Sequence, residues 1–246
     1  MLAPAPIPAE TLDIVLRQQG YAVLNAASVA QLIGCSLTDL TGLQAFWHDL
    51  PPDAHLKDGG RYRRRRHSCF EVAGPQVTQV PHRAHWQPVE YNALHGGMER
   101  WFEPMVPTLV QQATWLQMLL WLGVVSTRLK GVASWFVEAH QFRIDTTDGI
   151  GRPTPEGAHR DGVDLVAVFL VQRHDIKGGE TRVFEADGPH GQRFTLTESW
   201  SLLLLDDERV IHETTPIQPT APGGYRDTLV ITLRAGGFQG QKLKTI

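Results

Sequence analysis

The spacing of two histidines and one aspartate constrains this 246-residue chain more than any other feature. His159 and Asp161 are one residue apart, so on an extended backbone both side chains leave the same face. His212 follows 51 positions after Asp161, directly behind the strand-like apolar run 200–206. Two imidazoles and one carboxylate, with further positions open for small ligands, are typical of non-haem Fe(II) sites. The pattern therefore predicts an iron site built from segments that are distant in sequence.

A second polar pair begins the segment 226–234, fourteen residues after His212. The segment is rich in β-branched residues and alternates as a strand does, which places Arg226 and Thr228 on one face. A guanidinium next to a hydroxyl can bind a carboxylate through a bidentate pair and one further hydrogen bond. We expect this pair to hold the far carboxylate of 2-oxoglutarate, with the keto-acid end of that molecule on the metal.

The order His-x-Asp, His, Arg-x-Thr is similar to that of the Fe(II)/2-oxoglutarate-dependent dioxygenase superfamily. Within it, the segments 155–162, 178–181 and 226–230 resemble the small bacterial family that includes free L-isoleucine hydroxylase, as do the segments 61–65 and 87–104. The resemblance covers roughly residues 60 to 235. It implies Fe(II), 2-oxoglutarate and O2, and hydroxylation of a small molecule, above all a free L-amino acid, with release of succinate and CO2. The chemistry would occur at the metal, with no separate acid or base.

The order of helical and strand patterns predicts an α+β fold in a single domain, 1–246. Residues 1–58 form a helical N-terminal part, and about 60–235 form a double-stranded β-helix, or jelly roll, whose sheets enclose the iron. An apolar stripe after Pro104 predicts one long helix, 103–130, packed outside the sheets and ended by Gly131. Its tryptophans Trp115 and Trp121 are interpreted as core residues.

Four residues are candidates for the substrate pocket. Gln141 and Arg143 share a face of the strand before the His-x-Asp loop, although a structural ion pair for Arg143 is an equal alternative. Asn92 lies in a turn-rich stretch, and Arg64 represents the run 61–66, from which the resemblance allows one inward arginine. Residues 145–157 contain glycines and prolines without periodicity, which is typical of a mobile lid.

Besides an inward arginine for the substrate pocket, the basic run 61–66 has two other interpretations. Alternation places Arg61, Arg63 and Arg65 on one side and Arg64 and Arg66 on the other. The favoured interpretation is a solvated edge strand that its charges protect from pairing. A nucleic-acid-binding module is a weaker alternative, because the net charge is −3 and the run lacks single-strand stacking aromatics beyond Tyr62. No nucleic-acid partner is expected.

Other features support a cytoplasmic enzyme of the proposed kind. The two cysteines, Cys35 and Cys69, lack metal-like spacing and are predicted to be reduced thiols. The most apolar window, 114–125, is shorter than the ~20 residues that cross a bilayer, so no membrane association is expected. The histidines of segment 80–97 are assigned to a surface loop, and Glu180 is a second candidate for the metal carboxylate. A cupin-like enzyme of another reaction type remains an alternative, which the Arg226 and Thr228 pair disfavours.

Overall fold

The computed structural model describes residues 3 and 5–240. Its N-terminal part consists of short helices and one strand, and the sheets follow. The first elements are α1 (Leu12–Gln19), β1 (Tyr21–Leu24), α2 (Ala26–Ile33) and α3 (Leu37–Gly42), with 3-10 helices at Ala9–Thr11 and Leu43–Trp47. The next are β2 (Arg63–Ala73), β3 (Gln76–Gln79), α4 (Pro107–Val110), α5 (Ala113–Lys130), β4 (Ser134–Asp145), β5 (Leu165–His174), β6 (Ile176–Gly178) and β7 (Thr181–Glu185). The last are β8 (Gly191–Phe194), β9 (Leu202–Asp206), β10 (Val210–Thr214), β11 (Ile217–Pro219) and β12 (Tyr225–Arg234).

The strands form the predicted jelly roll. The large sheet has seven strands in the order β1-β9-β5-β12-β4-β2-β3. A three-stranded sheet, β10-β7-β8, and a two-stranded sheet, β11-β6, complete the architecture. All of these strand pairs are antiparallel. Because β12 pairs with both β4 and β5, it lies in the middle of the large sheet, where its side chains have neighbours on both sides.

The outer face of the large sheet packs against the helices. Trp115 and Met118 of α5 are fully buried there, in one apolar cluster with Phe70 of β2 and Leu229 of β12. Trp115 is therefore a core residue, as predicted. Burial of one such large side chain contributes about 1.5–3 kcal/mol. This helical layer holds β2, β4 and β12 from outside and leaves their inner faces for the site.

The predicted helix 103–130 is wrong in its first part. The helical segment is split into α4 and α5, because Val106 and Gln112 both have extended backbones, with ψ of 141° and 137°. Val106 precedes Pro107, and a residue before proline is disfavoured in the helical region. The predicted end is right, since Gly131 closes α5 in the left-handed conformation with φ of 74°. None of the helices in the described part of the chain is both long and apolar enough to cross a bilayer.

Candidate metal and co-substrate site

A cavity lies between the sheets, enclosed by the inner faces of β2, β4, β5, β10 and β12 and by parts of the segments 85–100 and 153–163. We call it the central cavity. Its walls combine aromatic and aliphatic side chains with charged ones, which is typical of a small-molecule site. The stretch predicted as a lid, 145–157, borders it through Pro153, Thr154 and Glu156. Thr154 Oγ1 donates to the carbonyl of Thr214 at 3.0 Å, which attaches this segment to β10.

Two imidazoles meet in the central cavity because their backbones are paired. His159 and His212 form an isolated antiparallel bridge, with N–O distances of 3.0 and 2.9 Å. Asp161 then turns in from the loop, with one oxygen 3.7 Å from His159 Nε2 and the other 3.9 Å from His212 Nε2. The ligand atoms of all three residues lie within 4.8 Å of one another. The structure thus brings together the three residues that the sequence pattern selected.

Hydrogen bonding leaves the correct nitrogen of His159 available. Its Nδ1 donates to the carbonyl of Gly157 at 3.0 Å, which directs Nε2 towards Asp161. Burial opposes protonation of His159, but Asp161 outweighs it and raises the pKa of His159 to about 10. Burial lowers the pKa of His212 to about 4. Burial also opposes ionisation of Asp161, but His159 holds the pKa of that carboxyl at about 2. A cation at this point would take the place of the proton on His159.

A carboxylate that the sequence pattern did not reveal supports the metal loop. Asp207, which is buried, accepts the backbone N–H groups of Asp161, Gly162 and Val163 at 3.0, 2.7 and 3.1 Å. Burial and the neighbouring charge of Asp161 raise the pKa of Asp207 to about 7. Because three successive N–H groups converge on one carboxylate, the loop is fixed at the point where Asp161 enters the cavity.

Arg226 and Thr228 both face the central cavity, as the strand period predicts. Arg226 is 4% exposed and Thr228 is 3% exposed. Within the described part of the chain, Arg226 has no carboxylate in ion-pair range and its Nε has no hydrogen-bond partner. Burial, and next the charge of Arg173, lower the pKa of Arg226 to about 10, which leaves it protonated at neutral pH. A buried, unpaired guanidinium is costly, so this position is suited to an anionic ligand.

Three of the four predicted pocket residues lie outside the central cavity. Gln141 and Arg143 are on the outer face of β4, where Gln141 Nε2 donates to the carbonyl of Phe46 at 3.0 Å. Arg143 makes a bidentate pair with Asp227, at 2.8 and 2.6 Å, so the structural alternative applies. Arg64 is also on the outer side, 3.6 Å from Asp145. Antiparallel register explains this, because Arg64 is opposite Arg143 and the two share a face.

The inward arginines are Arg63 and Arg65. They are 5% and 3% exposed and line the central cavity. The edge of β2 that does not pair with β4 is bonded here by segment 51–53, through the bridge of Pro52 to Arg64. The interpretation of the run as a solvated edge strand is therefore wrong for these two residues. The predicted alternation is right, but the sequence did not say which side faces inward.

The surface-loop prediction for segment 80–97 holds for His82, which is exposed, and is wrong for His85 and His95. His85, Gln87, Asn92 and His95 are all buried, and the first three line the central cavity. Asn92 Nδ2 donates to Gln87 Oε1 at 3.2 Å, and Gln87 Nε2 donates to Asp161 at 3.3 Å. Asn92 is thus connected to Asp161, a candidate metal ligand, through the side chain of Gln87. The segment has little regular structure, so no periodicity marked it as buried.

A second polar cluster occupies the inner faces of β2 and β4. We call it the histidine–glutamate cluster: His67, His85, Glu138 and His140, all buried, with ligand atoms within 4.8 Å of one another. Arg65 Nη2 lies 2.6 Å from His140 Nδ1, so Nδ1 accepts and the proton of His140 is on Nε2, facing Glu138. The sequence analysis missed this cluster. Its signal was the polar alternation at 63, 65 and 67 and at 138 and 140.

Two other expectations can be compared with the structure. Glu180, the rival metal carboxylate, pairs with Arg182 at 3.0 Å and is not part of either group of potential metal ligands in the described chain. Cys35 and Cys69 are both free thiols, as predicted, and burial raises the pKa of Cys69.

One family model and several solved structures match the chain. A family model described as 2OG-Fe dioxygenase matches residues 44–232. The crystal structure of a bsmA homolog from Methylobium petroleophilum PM1 is 51% identical, with a TM-score of 0.92 over 98% of both chains. The crystal structure of IDO from Bacillus thuringiensis is 16% identical, with a TM-score of 0.75 over 97% of this chain and 99% of that one, which shows a shared fold. No curated protein matches the chain.

Proposed function

This chain belongs to the 2OG-Fe dioxygenase family, and we propose that it hydroxylates a small molecule, most specifically a free L-amino acid, with His159, Asp161 and His212 as its iron ligands. Proteins of this family use Fe(II), 2-oxoglutarate and O2. Membership makes the chain an oxidoreductase and disfavours the cupin-like enzyme of another reaction type. The observation that carries the ligand assignment is the convergence of three donor atoms within 4.8 Å in a cavity.

The donor set fits Fe(II). It comprises two imidazoles and one carboxylate, the facial set that leaves coordination positions open for co-substrate and oxygen. Bound iron supplies the activation of O2, coupled to conversion of 2-oxoglutarate into succinate and CO2. The carbonyl of Gly157 fixes the tautomer of His159, and Asp207 fixes the loop of Asp161. The protein's own part in the reaction is to hold these groups in position before the substrate arrives.

Arg226 and Thr228 are proposed to bind the far carboxylate of 2-oxoglutarate. The support is that Arg226 is buried and protonated, and has no carboxylate partner among the described residues. Thr228 is on the same face of β12 and adds a hydroxyl. A bidentate guanidinium pair in a site closed to water is strong and directional, so it would orient the co-substrate.

An amino acid as primary substrate is supported by the walls of the central cavity. Phe136, Phe142 and Val168 provide apolar surface, whereas Glu138 and several arginines provide charges of both signs. An oligonucleotide would need an open basic groove with exposed aromatic platforms. Two arginines of the basic run, Arg63 and Arg65, are instead buried inside the cavity.

The test is succinate release by the Fe(II)-loaded protein with 2-oxoglutarate across the twenty L-amino acids, their N-acyl derivatives and a single-stranded DNA oligomer. We expect at least one amino acid to stimulate succinate release. Asp161→Ala should abolish that release and keep the fold, while Glu180→Ala, the matched control, should keep the activity. Stimulation by the oligomer and by no amino acid would refute the substrate class. Activity in Asp161→Ala would refute the iron ligands.

A further inference from the structure

The polar end of the central cavity contains three buried arginines, and not all of them have a carboxylate of the described residues within ion-pair range. Arg63, Arg65 and Arg100 line it and are 5%, 3% and 2% exposed. Asp53 serves the first two, at 2.7 Å from Arg63 Nε and 3.8 Å from Arg65 Nη1. Of the other two carboxylates that line the cavity near them, Glu138 faces the imidazoles of the histidine–glutamate cluster, and Glu156 Oε1 lies 3.6 Å from His159 Nε2.

Arg100 is the guanidinium without a carboxylate. In the described part of the chain no acidic oxygen lies within ion-pair range of it, and its Nη2 donates to the neutral Gln87 Oε1 at 3.0 Å. Burial, and next the charge of Arg63, lower the pKa of Arg100 to about 10, so it remains charged at neutral pH. Burial also keeps the pKa of His67 at about 4 and lowers those of His85 and His140, so these imidazoles are neutral. Three guanidinium groups thus face three carboxylates, Asp53, Glu138 and Glu156, but in the described chain Arg100 makes an ion pair with none of them.

Each of the three arginines has a buried N–H donor without a hydrogen-bond partner within the described chain. Arg63 Nη2, Arg65 Nε and Arg100 Nε are buried without a hydrogen-bond partner in the described residues. Unsatisfied buried N–H groups on charged side chains are costly and rare, so each requires an explanation, such as a bound ligand. Two carboxylate oxygens of the described lining are left over as well: Glu138 Oε1, since the imidazoles approach its other oxygen, and Glu156 Oε2.

This set of unpartnered atoms is close to the proposed iron. Gln87 accepts from Arg100 through Oε1 and donates to Asp161 through Nε2 at 3.3 Å, so one carboxamide separates the guanidinium from the metal carboxylate. The backbone of Arg100 is fixed by a two-bond bridge to His85, at 2.9 and 3.0 Å. A ligand group held at Arg100 would therefore leave the rest of a small molecule near the iron ligands.

We propose that Arg100, with Arg63 and Arg65, binds the carboxylate of the primary substrate, and that Glu138 Oε1 accepts an N–H from its nitrogen. The substrate class is a small carboxylic acid with a nitrogen next to the carboxylate. This inference rests on the proposed function for its meaning as a substrate site, but it concerns a different set of residues from those of the iron and 2-oxoglutarate. Because Arg100 has no carboxylate within ion-pair range in the described chain, the carboxylate is the obligatory group of the ligand.

The test is calorimetry with the Fe(II)-loaded protein, saturated with 2-oxoglutarate and kept anaerobic. Ligands are the twenty amino acids, the carboxamide of the tightest binder, its N-acetyl derivative, and 3-methylbutanoate as a carboxylate without nitrogen. Arg100→Gln should weaken binding of the carboxylates about 100-fold, as expected for loss of one partner of a buried charge pair. It should change binding of the carboxamide by less than about threefold and leave 2-oxoglutarate affinity unchanged. Arg64→Gln, on the outer face of β2 between Arg63 and Arg65, is the matched control and should bind as the wild type.

Four outcomes separate the possibilities. Equal weakening of carboxylate and carboxamide in Arg100→Gln, or no carboxylate bound by the wild type, would overturn the proposal. Carboxylates that bind through Arg100 but never stimulate succinate release would leave the proposal standing and refute the proposed function. Glu138→Gln should weaken amino acids but not 3-methylbutanoate. A second equivalent of metal per wild-type chain, absent from Glu138→Gln, would identify the histidine–glutamate cluster as a metal site and overturn the role of Glu138.

Discussion

Substitution of Asp207 by asparagine tests whether a buried carboxylate outside the ligand set controls iron binding. Its two oxygens accept three backbone N–H groups, from Asp161, Gly162 and Val163, at 2.7–3.1 Å. Asparagine keeps the shape but replaces one oxygen with an NH2 group, which cannot accept, so at least one N–H loses its partner. Above pH 7, where the carboxyl of Asp207 is ionised, each of these hydrogen bonds is one to a charged group and contributes about 1.5–3 kcal/mol. Loss of one is expected to weaken Fe(II) binding by about 10- to 100-fold, as found for residues that orient metal ligands.

The measurement is anaerobic calorimetry of Fe(II) binding, together with the Fe(II) concentration that gives half-maximal succinate release. Asp206→Asn is the matched control, because Asp206 is the adjacent residue and pairs with Lys130 Nζ at 2.7 Å instead of with the loop. We expect Asp206→Asn to lower thermal stability and to keep the Fe(II) affinity. Equal Fe(II) affinity in Asp207→Asn and the wild type would refute the idea that Asp207 positions Asp161. Equal weakening in both variants would attribute the effect to general loss of stability.

Two further predictions concern buried charges. Arg226→Ala should raise the KM for 2-oxoglutarate at least about 30-fold and leave the KM for the primary substrate nearly unchanged, since it removes a buried charge pair of about 2–5 kcal/mol. Arg226→Lys should rescue only part, because lysine lacks the planar fork, and equal effects on both KM values would contradict the assignment. Burial lowers the pKa of His67 to about 4, so the stability it confers is complete above its unfolded-state pKa of about 6.5 and is lost as pH falls towards 4. Urea unfolding from pH 7 to 4 should show a loss of up to about 3 kcal/mol from this group and a shallower slope in His67→Gln; an unchanged slope would count against it.

The three proposed iron ligands could be predicted to lie together, because the chemistry of metal ligands and the strand period leave few other choices. His159 and Asp161 can share a site only if the chain turns both to one side, and His212 follows an apolar strand that has to lie next to them. Arg226 and Thr228 follow from the same period. The jelly roll follows from many short strands that need two layers to bury their apolar faces.

The residues that line the polar end of the central cavity could not be predicted, because a period of two tells which residues share a face and not which face is inward. In this fold both faces of β4 are covered, one by helices and one by the central cavity. Polar residues on either face are therefore buried or half-buried. By sequence, Gln141 and Arg143 were as suitable for lining the cavity as Glu138 and His140, which line it in the structure. The buried segment around His85 could not be predicted either, since an irregular backbone carries no hydrophobic period.

The two faces of β12 differ in how their buried charges are satisfied, and that difference identifies the functional face better than residue type does. On the outer face, Asp227 is 0% exposed and receives two bonds from Arg143, at 2.8 and 2.6 Å. On the inner face, the adjacent residue Arg226 is 4% exposed and has no carboxylate partner in the described chain. Arg143 and Arg226 are both costly to bury, but of these two only Arg143 has a carboxylate partner among the described residues. A structural role explains a complete pair, whereas an incomplete one stabilises the fold only when a ligand supplies the missing charge. By this criterion we expect the central cavity to bind anions at two places, Arg226 of β12 and Arg100 of the segment 85–100, which lie on opposite sides of the proposed iron ligands in sequence.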